Sequence, residues 1–437
     1  MKKESSFHGK PVILEGVRTP FRHSHKAFAN LNSFDLGSYV LQGLLTKVGL
    51  DSSAIEHVIM GTVLHEPRTP NVARECLLGA GYSSYIPAHT VSLACISSNV
   101  ATTEMANMIS LGQIKMGVVG GVDTCSDPPI RVAKSMRKKL VRMSKFRGLK
   151  DASKYLGLLL GLRPKDFALD VPQVTEFSNG KSMGQGAEIL AQQTKVSRDE
   201  ADAYAARSHQ LAVKAMREGI FEDYILPVYT PPKFEAILHD DGPREDTNVK
   251  TLAKLKRAFD KDFGVCTAGN SSFLTDGASA LLLSDLDTAK KKKLEPKAII
   301  SDFVYRAGDP LTEMLSGPAL TIPHLLARNN LSLDDIDVWE IHEAFASQVL
   351  SNLVYLNSDI FAKDRLGLTR ALGEIPIEKI NIWGGSLSLG HPFGATGCRL
   401  LYTASMRLQK QKARYAVVSG CAAGGHGSAI LLENPNL

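Results

Sequence analysis

The stretch LLTKVGLDSSAIEHVIMG, beginning at Leu44, lies over LLARNNLSLDDIDVWEIH, beginning at Leu325, without a gap. A chain that resembles itself in this way is constrained to fold as two like halves. Leu44, Leu45, Leu50 and Ile55 fall on Leu325, Leu326, Leu331 and Ile336, while Lys47 and Glu56 fall on Arg328 and Asp337. Each copy reads as an apolar-periodic helix, a turn and a short strand. A second pairing sets IKMGVVGGVDT, 114–124, against ARYAVVSGCAA, 413–423, with Val118 and Val119 over Val417 and Val418. Both are compact apolar runs ending in glycine, as buried strands leading into tight loops do. Upstream of each stands another strand-loop-helix unit, HTVSLACISSNVATTEMANMIS and INIWGGSLSLGHPFGATGCRLLYTASMRL. The pattern predicts an α/β fold whose corresponding loops face each other across a pseudo-twofold axis, where such folds build sites. Cys95 and His391 sit on one such pair of loops.

The length, 437 residues, allows two or three domains. Residues 1–127 and 264–286 read as the N-terminal half of the core, 287–437 as the C-terminal half, and 128–263 as an insertion serving as a lid or substrate-binding subdomain. Within the insertion AEILAQQTKVSRDEADAYAARSHQLAVKAMREG reads as helix, and GVCTAGNSSFLTDGASALLLSD, 264–285, returns to buried-strand character. The six cysteines are scattered and form no C-x-x-C pair, so they read as reduced thiols and not as a disulfide scaffold. With no apolar run long enough to span a bilayer and no secretory leader pattern, the expected compartment is the cytoplasm.

Cys95, in SLACISS directly before a helix, is placed for its sulfur to meet the partial positive charge of the helix N-terminus. Taken alone it reads more readily as a packed thiol. His391, in GGSLSLGHPFGATGCR, is flanked by glycines that let the imidazole point into a cleft, or leave it an ordinary loop residue. Cys421, in SGCAAGGHGSAIL, follows a buried strand, and His342, in IHEAFASQ, follows a strand end suited to binding an anionic oxygen. Ala346 occupies the second histidine position of H-E-x-x-H, which excludes a zinc-protease helix.

SLACISS, the HEAF box, GHPFGATG and CAAGG together stand in the order and at the spacing of the thiolase family. The chain resembles that family over nearly its whole length. The resemblance is strongest to degradative 3-ketoacyl-CoA thiolases, and among these to the thiolase subunit of fatty-acid β-oxidation multienzyme complexes. It implies duplicated βαβαβαββ halves in a five-layered α-β-α-β-α arrangement with an inserted loop domain. It further implies that Cys95 is the nucleophile, His391 its base and Cys421 the acid and base at the enolate carbon. His391 and His342 would hold the enolate oxygen, the N–H groups of Cys95 and Ala423 the acyl oxyanion. Ser272 would contact pantetheine and Met183 would line the acyl pocket. CoA is then a substrate, with no metal or other cofactor. Two positions depart from commoner members, which carry Asn at His342 and three consecutive glycines where Ala423 begins the run. A biosynthetic acetoacetyl-CoA thiolase would use the same residues in reverse, and a non-catalytic CoA-binding subunit is the alternative from another class. The family also implies a homodimer or higher homo-oligomer, and a hydratase/dehydrogenase α subunit as partner.

The net charge of +6 is local in origin, since residues 131–165 hold twelve Lys or Arg and one acid, Asp151. The apolar octet YLGLLLGL, 155–162, adjoins this run. The pair predicts contact with an anionic membrane or a partner subunit, with a phosphate-attracting rim for CoA as the competing reading. Nucleic acid is excluded, because no aromatic interleaving accompanies the charge.

Overall fold

The structure, a computed structural model, describes residues 9–145, 148, 151–172 and 175–437. In the first half the strands run in the order Ala88–Val91, His57–Gly61, Met116–Asp123, Thr275–Asp285, Pro11–Arg18. In the second the order is Val338–Ile341, Tyr415–Ala422, His426–Glu433, Ala298–Ala307. His57–Gly61 is parallel to Met116–Asp123, and Val338–Ile341 is parallel to Tyr415–Ala422. The neighbours that follow are antiparallel in both halves. Four strands of each copy therefore match one for one. They are hydrogen-bonded to one another over a short seam, Val12 with Ile299 and Ile13 with Ala298.

Both faces of each half are covered, which is why the strands read as unbroken apolar runs. Successive side chains point to opposite faces. Ile59 and Val119 face a middle layer formed by two central helices, Ser97–Ser110 and Thr396–Gln411. Val58, Met60 and Val118 face an outer layer with helices Ser33–Val48 and Val72–Gly79. In the second half Val418 and Ile430 point to the middle layer, and Val417 and Leu431 to the outer helices Gly317–Arg328 and Ala346–Leu356. The result is five layers, helix-sheet-helix-sheet-helix. Leu44 and Leu325, paired in the repeat, are both fully buried on the outer helices.

One expected strand is missing from the second half. Opposite Ala88–Val91 stands an isolated bridge between Trp339 and Ile380. Asn381 replaces the ladder: its side-chain oxygen accepts from the Ile341 N–H and its amide donates to the Ile341 carbonyl, each at 2.8 Å. Asn381 itself takes φ 46°, which ends any extended run.

The insertion is of two kinds. The stretch read as one helix is two, Met183–Thr194 and Arg198–Arg217, because Lys195 adopts φ 59° and Ser197 opens a new helix in a capping box with Glu200. The second of these helices packs into the body, with Ala201, Tyr204 and Ala205 in the outer core and Ala212 and Ala215 in the middle one. This helix is thus packed into the frame. Helices Lys134–Met143 and Ala152–Leu160 lie outside the cores, with Met136 their buried residue.

Candidate active site

Cys95 stands on the turn that feeds the first central helix. Ala94 before it takes φ 46°, a left-handed conformation that a residue with a Cβ adopts at a cost. Ser97 holds the turn, donating to the Ala94 carbonyl at 2.7 Å and accepting from the Leu93 N–H at 2.8 Å. The sulfur opens onto a cavity of 540 Å³. Burial pushes its thiol up to about 12, against the backbone N–H groups of Ala423 and of Cys95 itself, which point at the sulfur and favour thiolate.

Cys421 lines the same cavity from within the strand Tyr415–Ala422, paired with Gly427 in the following hairpin. Burial, and then the neighbouring Cys95, raise its pKa. His391 enters the cavity from the loop before the second central helix. Its N–H donates to Thr275 Oγ1 at 3.0 Å, and its Nδ1 lies 2.7 Å from Thr396 Oγ1. Its Nε2 is buried and has no hydrogen-bond partner among the described residues. Burial, aided by the positive charge of Arg399, pushes the imidazole down to about 3.

His342 lies at the end of Val338–Ile341, four residues ahead of the next helix, with its N–H on the Ser419 carbonyl at 2.8 Å. Its ring is 4.1 Å from that of His391, centroid to centroid. Burial, then His391 and Arg399, hold it well below the usual histidine range, and its Nε2 also lacks a hydrogen-bond partner among the described residues. The Cys95 sulfur and one ring nitrogen from each histidine lie within 4.8 Å of one another. Both imidazoles are therefore neutral, with free nitrogens beside a thiol, a set able to exchange a proton and to stabilise an oxyanion. Met183, first residue of its helix, and Ser272, whose N–H donates to the Ala344 carbonyl at 2.9 Å, also line the cavity.

Several supporting residues escaped the sequence reading. Asp123 accepts from the Gly394 N–H at 2.7 Å and from Thr62, Val63 and Leu64, tying the His391 loop to the first half. Glu343 accepts from Tyr204, Ser208, Asn381 and the Leu387 N–H, tying the insertion to the segment before His391. Glu176 accepts from the Gly424 N–H beside Ala423. Their signal was visible: Asp123 ends an otherwise apolar strand, Glu343 follows His342, and Arg399 interrupts an apolar helix.

A duplicated α/β frame that brings a strained-turn cysteine, a second cysteine and a neutral histidine to one apolar cavity, with a second neutral histidine packed on the first, defines a protein equipped for thiol chemistry. The family models for the thiolase N-terminal domain, over residues 11–287, and the thiolase C-terminal domain, over 294–434, both match. The chain belongs to the thiolase family. It is 46% identical to the trifunctional enzyme subunit beta, mitochondrial, of Rattus norvegicus over 97% of this chain and 88% of that one. It is 39% identical to the 3-ketoacyl-CoA thiolase of Serratia proteamaculans, over 98% and 97%. The crystal structure of the Bacillus anthracis acetyl-CoA acetyltransferase superposes with a TM-score of 0.83 at 30% identity, over 98% of this chain and all of that one.

Proposed function

We propose that the chain is a 3-ketoacyl-CoA thiolase of fatty-acid β-oxidation, an acyltransferase that cleaves 3-ketoacyl-CoA with CoA through an acyl-enzyme on Cys95. What carries this reading is the convergence of Cys95, His391 and Cys421 on one cavity, with the Ala423 N–H aimed at the Cys95 sulfur. The relatives named 3-ketoacyl-CoA thiolase and trifunctional enzyme subunit beta support it.

Thiol and imidazole are both neutral in the free site, so His391 takes the Cys95 proton as the sulfur attacks the 3-keto carbon, not before. The tetrahedral oxyanion falls to the N–H groups of Cys95 and Ala423. Its collapse re-forms the carbonyl as a thioester on Cys95 and breaks the carbon-carbon bond, leaving the bond pair on the enolate of acetyl-CoA. His391 and His342 hold the enolate oxygen, and Cys421 protonates the carbon. Cys421 then takes the proton of incoming CoA, whose sulfur displaces the shortened acyl group from Cys95, and His391 returns its proton to the Cys95 thiolate that leaves. Ser272 contacts pantetheine and Met183 the acyl chain. CoA is a substrate, and the cycle needs no metal or other cofactor. Phe259, Phe345 and Leu315 on the cavity wall support an acyl tail longer than acetyl. Intact-mass measurement after mixing with 3-ketoacyl-CoA tests the assignment: an acyl adduct confined to Cys95 is expected, and an adduct on Cys125 or Cys266 overturns it.

The relatives' names support assembly with an α subunit, here a hydratase/dehydrogenase, and the fold family supports a homodimer or larger homo-oligomer. The surface offered is the basic segment. Lys138, Arg142 and Lys145 are exposed, and so are Leu140, Val141, Leu156 and Leu160. Lys139 is not a free charge: it binds Asp166 at 2.6 Å. Exposed leucines beside exposed cations support peripheral contact with an anionic membrane or the partner. Among the described residues no helix is long and apolar enough to cross a membrane. The cytoplasmic placement stands beside the mitochondrial name of the mammalian relatives, and fractionation of the source cell decides between them.

A further inference from the structure

Ser386 opens a short helical turn, Ser386–Leu389, ahead of His391, and it is fully buried. Its hydroxyl has two partners among the described residues. Arg399, from the second central helix, donates its Nη2 N–H to Ser386 Oγ at 2.8 Å, and His342 Nδ1 lies 3.0 Å from the same oxygen. A guanidinium is a donor only. The oxygen therefore spends a lone pair on Arg399, and its own hydrogen has one acceptor within reach, His342 Nδ1. Were Nδ1 to carry the proton instead, the Ser386 O–H would be buried without an acceptor and Nε2 without a donor, two unmet groups against the single Nε2–H that the other tautomer leaves.

We infer that Arg399 and Ser386 are positioning residues that fix the tautomer of His342, with Nδ1 as acceptor and the hydrogen on Nε2. His342 is thereby a permanent donor in the cluster it forms with Cys95 and His391, with no proton to gain or lose in the cycle. His391 stands in the other relation to the reaction, since its Nε2 must accept the Cys95 proton, which requires its hydrogen on Nδ1, toward Thr396 Oγ1 at 2.7 Å. Two adjacent imidazoles thus present opposite faces, a donor and a base, and the buried charge of Arg399 opposes a second positive charge on either. Arg399 has Nε and Nη1 without hydrogen-bond partners among the described residues and is 1% exposed, so its charge, offset in part by the buried Glu340 and Glu343, acts on the site little screened by solvent.

The inference rests on the thiolase reading of His342 as the enolate donor, and the test separates the two. The first measurement needs no variant: nitrogen NMR of the protein labelled at histidine, at neutral pH, reads which ring nitrogen of His342 carries hydrogen. Hydrogen on Nε2 is expected, with the signal identified by its loss in His342→Asn. Hydrogen on Nδ1, or on both nitrogens, overturns the inference. The second is kinetic. Ser386→Ala should slow carbon-carbon cleavage about tenfold or more, less than the roughly hundredfold expected of removing a donor outright. Acylation of Cys95 from a preformed acyl-CoA, which forms no enolate, should lose far less. If His342→Ala impairs cleavage while Ser386→Ala and Arg399→Lys leave both cleavage and the tautomer unchanged, the relay is wrong and the donor assignment stands. If His342→Ala leaves cleavage unchanged, the donor assignment falls first.

Discussion

At the scale of single residues the site divides its work between thiols that differ in what they touch. Cys95→Ala should fold yet neither cleave 3-ketoacyl-CoA nor become acylated, because the Ala423 N–H that would receive the oxyanion points at the Cys95 sulfur and not at that of Cys421. Mass measurement of the variant after exposure to substrate checks this. Cys421→Ala should retain acylation from a preformed acyl-CoA better than full turnover, since protonation of the enolate carbon is the step removed. Equal loss in both assays would mean that Cys421 only shapes the cavity. The histidines carry a pH signature. Both imidazoles lie below their ordinary 6.5 in the folded chain, so the unfolded chain binds protons that the folded chain does not. Stability should therefore fall as pH drops below 6.5, for His391 until about 3. Each ring contributes at most about 1.4 kcal/mol per pH unit. Asp123, raised to about 6 by burial, acts with the opposite sign between that value and its ordinary 3.8. His342→Asn, which removes one ring, should make the acid limb of a urea-midpoint profile shallower. An unchanged slope would mean that His342 is charged in the folded chain.

At the scale of elements, the site exists because the two central helices start almost in contact. A Cβ on Gly397 would come within 1.8 Å of Asn99 Oδ1 and 2.8 Å of the Asn99 nitrogen. Ser98 Oγ meanwhile accepts the Cys398 N–H at 3.0 Å. Gly397→Ala should push the helices apart and cost about 1–3 kcal/mol, with Cys95 and His391 displaced relative to each other. A denaturation curve shifted without loss of turnover would refute the link between helix spacing and catalysis. The helices and their apolar faces were legible in the sequence because burial on both sides leaves a dense periodic pattern. The break at Lys195 was not, since a lysine in the left-handed region carries no composition signal, although Ser197 with Glu200 three residues on was a cap in plain view. Nor was the lost strand at Ile380, where one asparagine side chain does the pairing of a backbone. Cys95, His342, His391 and Cys421 were found through motifs. Arg399 and Ser386 act through other residues, and their pairing depends on a register between segments that only the fold supplies.

At the scale of the whole molecule, the basic helices lie outside the packed cores while the rest of the insertion is built into them. Replacing Lys138, Arg142 and Lys145 by Gln should weaken binding to anionic vesicles or to the partner subunit, more steeply at low salt, with thiolysis of a short substrate nearly unchanged. A steep rise in the Michaelis constant for CoA, with both attachments intact, would identify the surface as a CoA rim instead. The duplication has a last consequence. The repeat that lays Val118 on Val417 and Leu44 on Leu325 also lays Val122 on Cys421 and Gly61 on His342, and the matching helix starts set Gly394 against Cys95. A Cβ on Gly394 would lie 2.9 Å from the Gly61 carbonyl oxygen, and one on Gly121 would lie 2.0 Å from that of Gly394. Symmetry thus offered this chain twin reaction chambers. One was kept hollow and armed, while its counterpart carries glycine and valine where the other has its thiols and imidazole, and is closed by main chain packed on main chain.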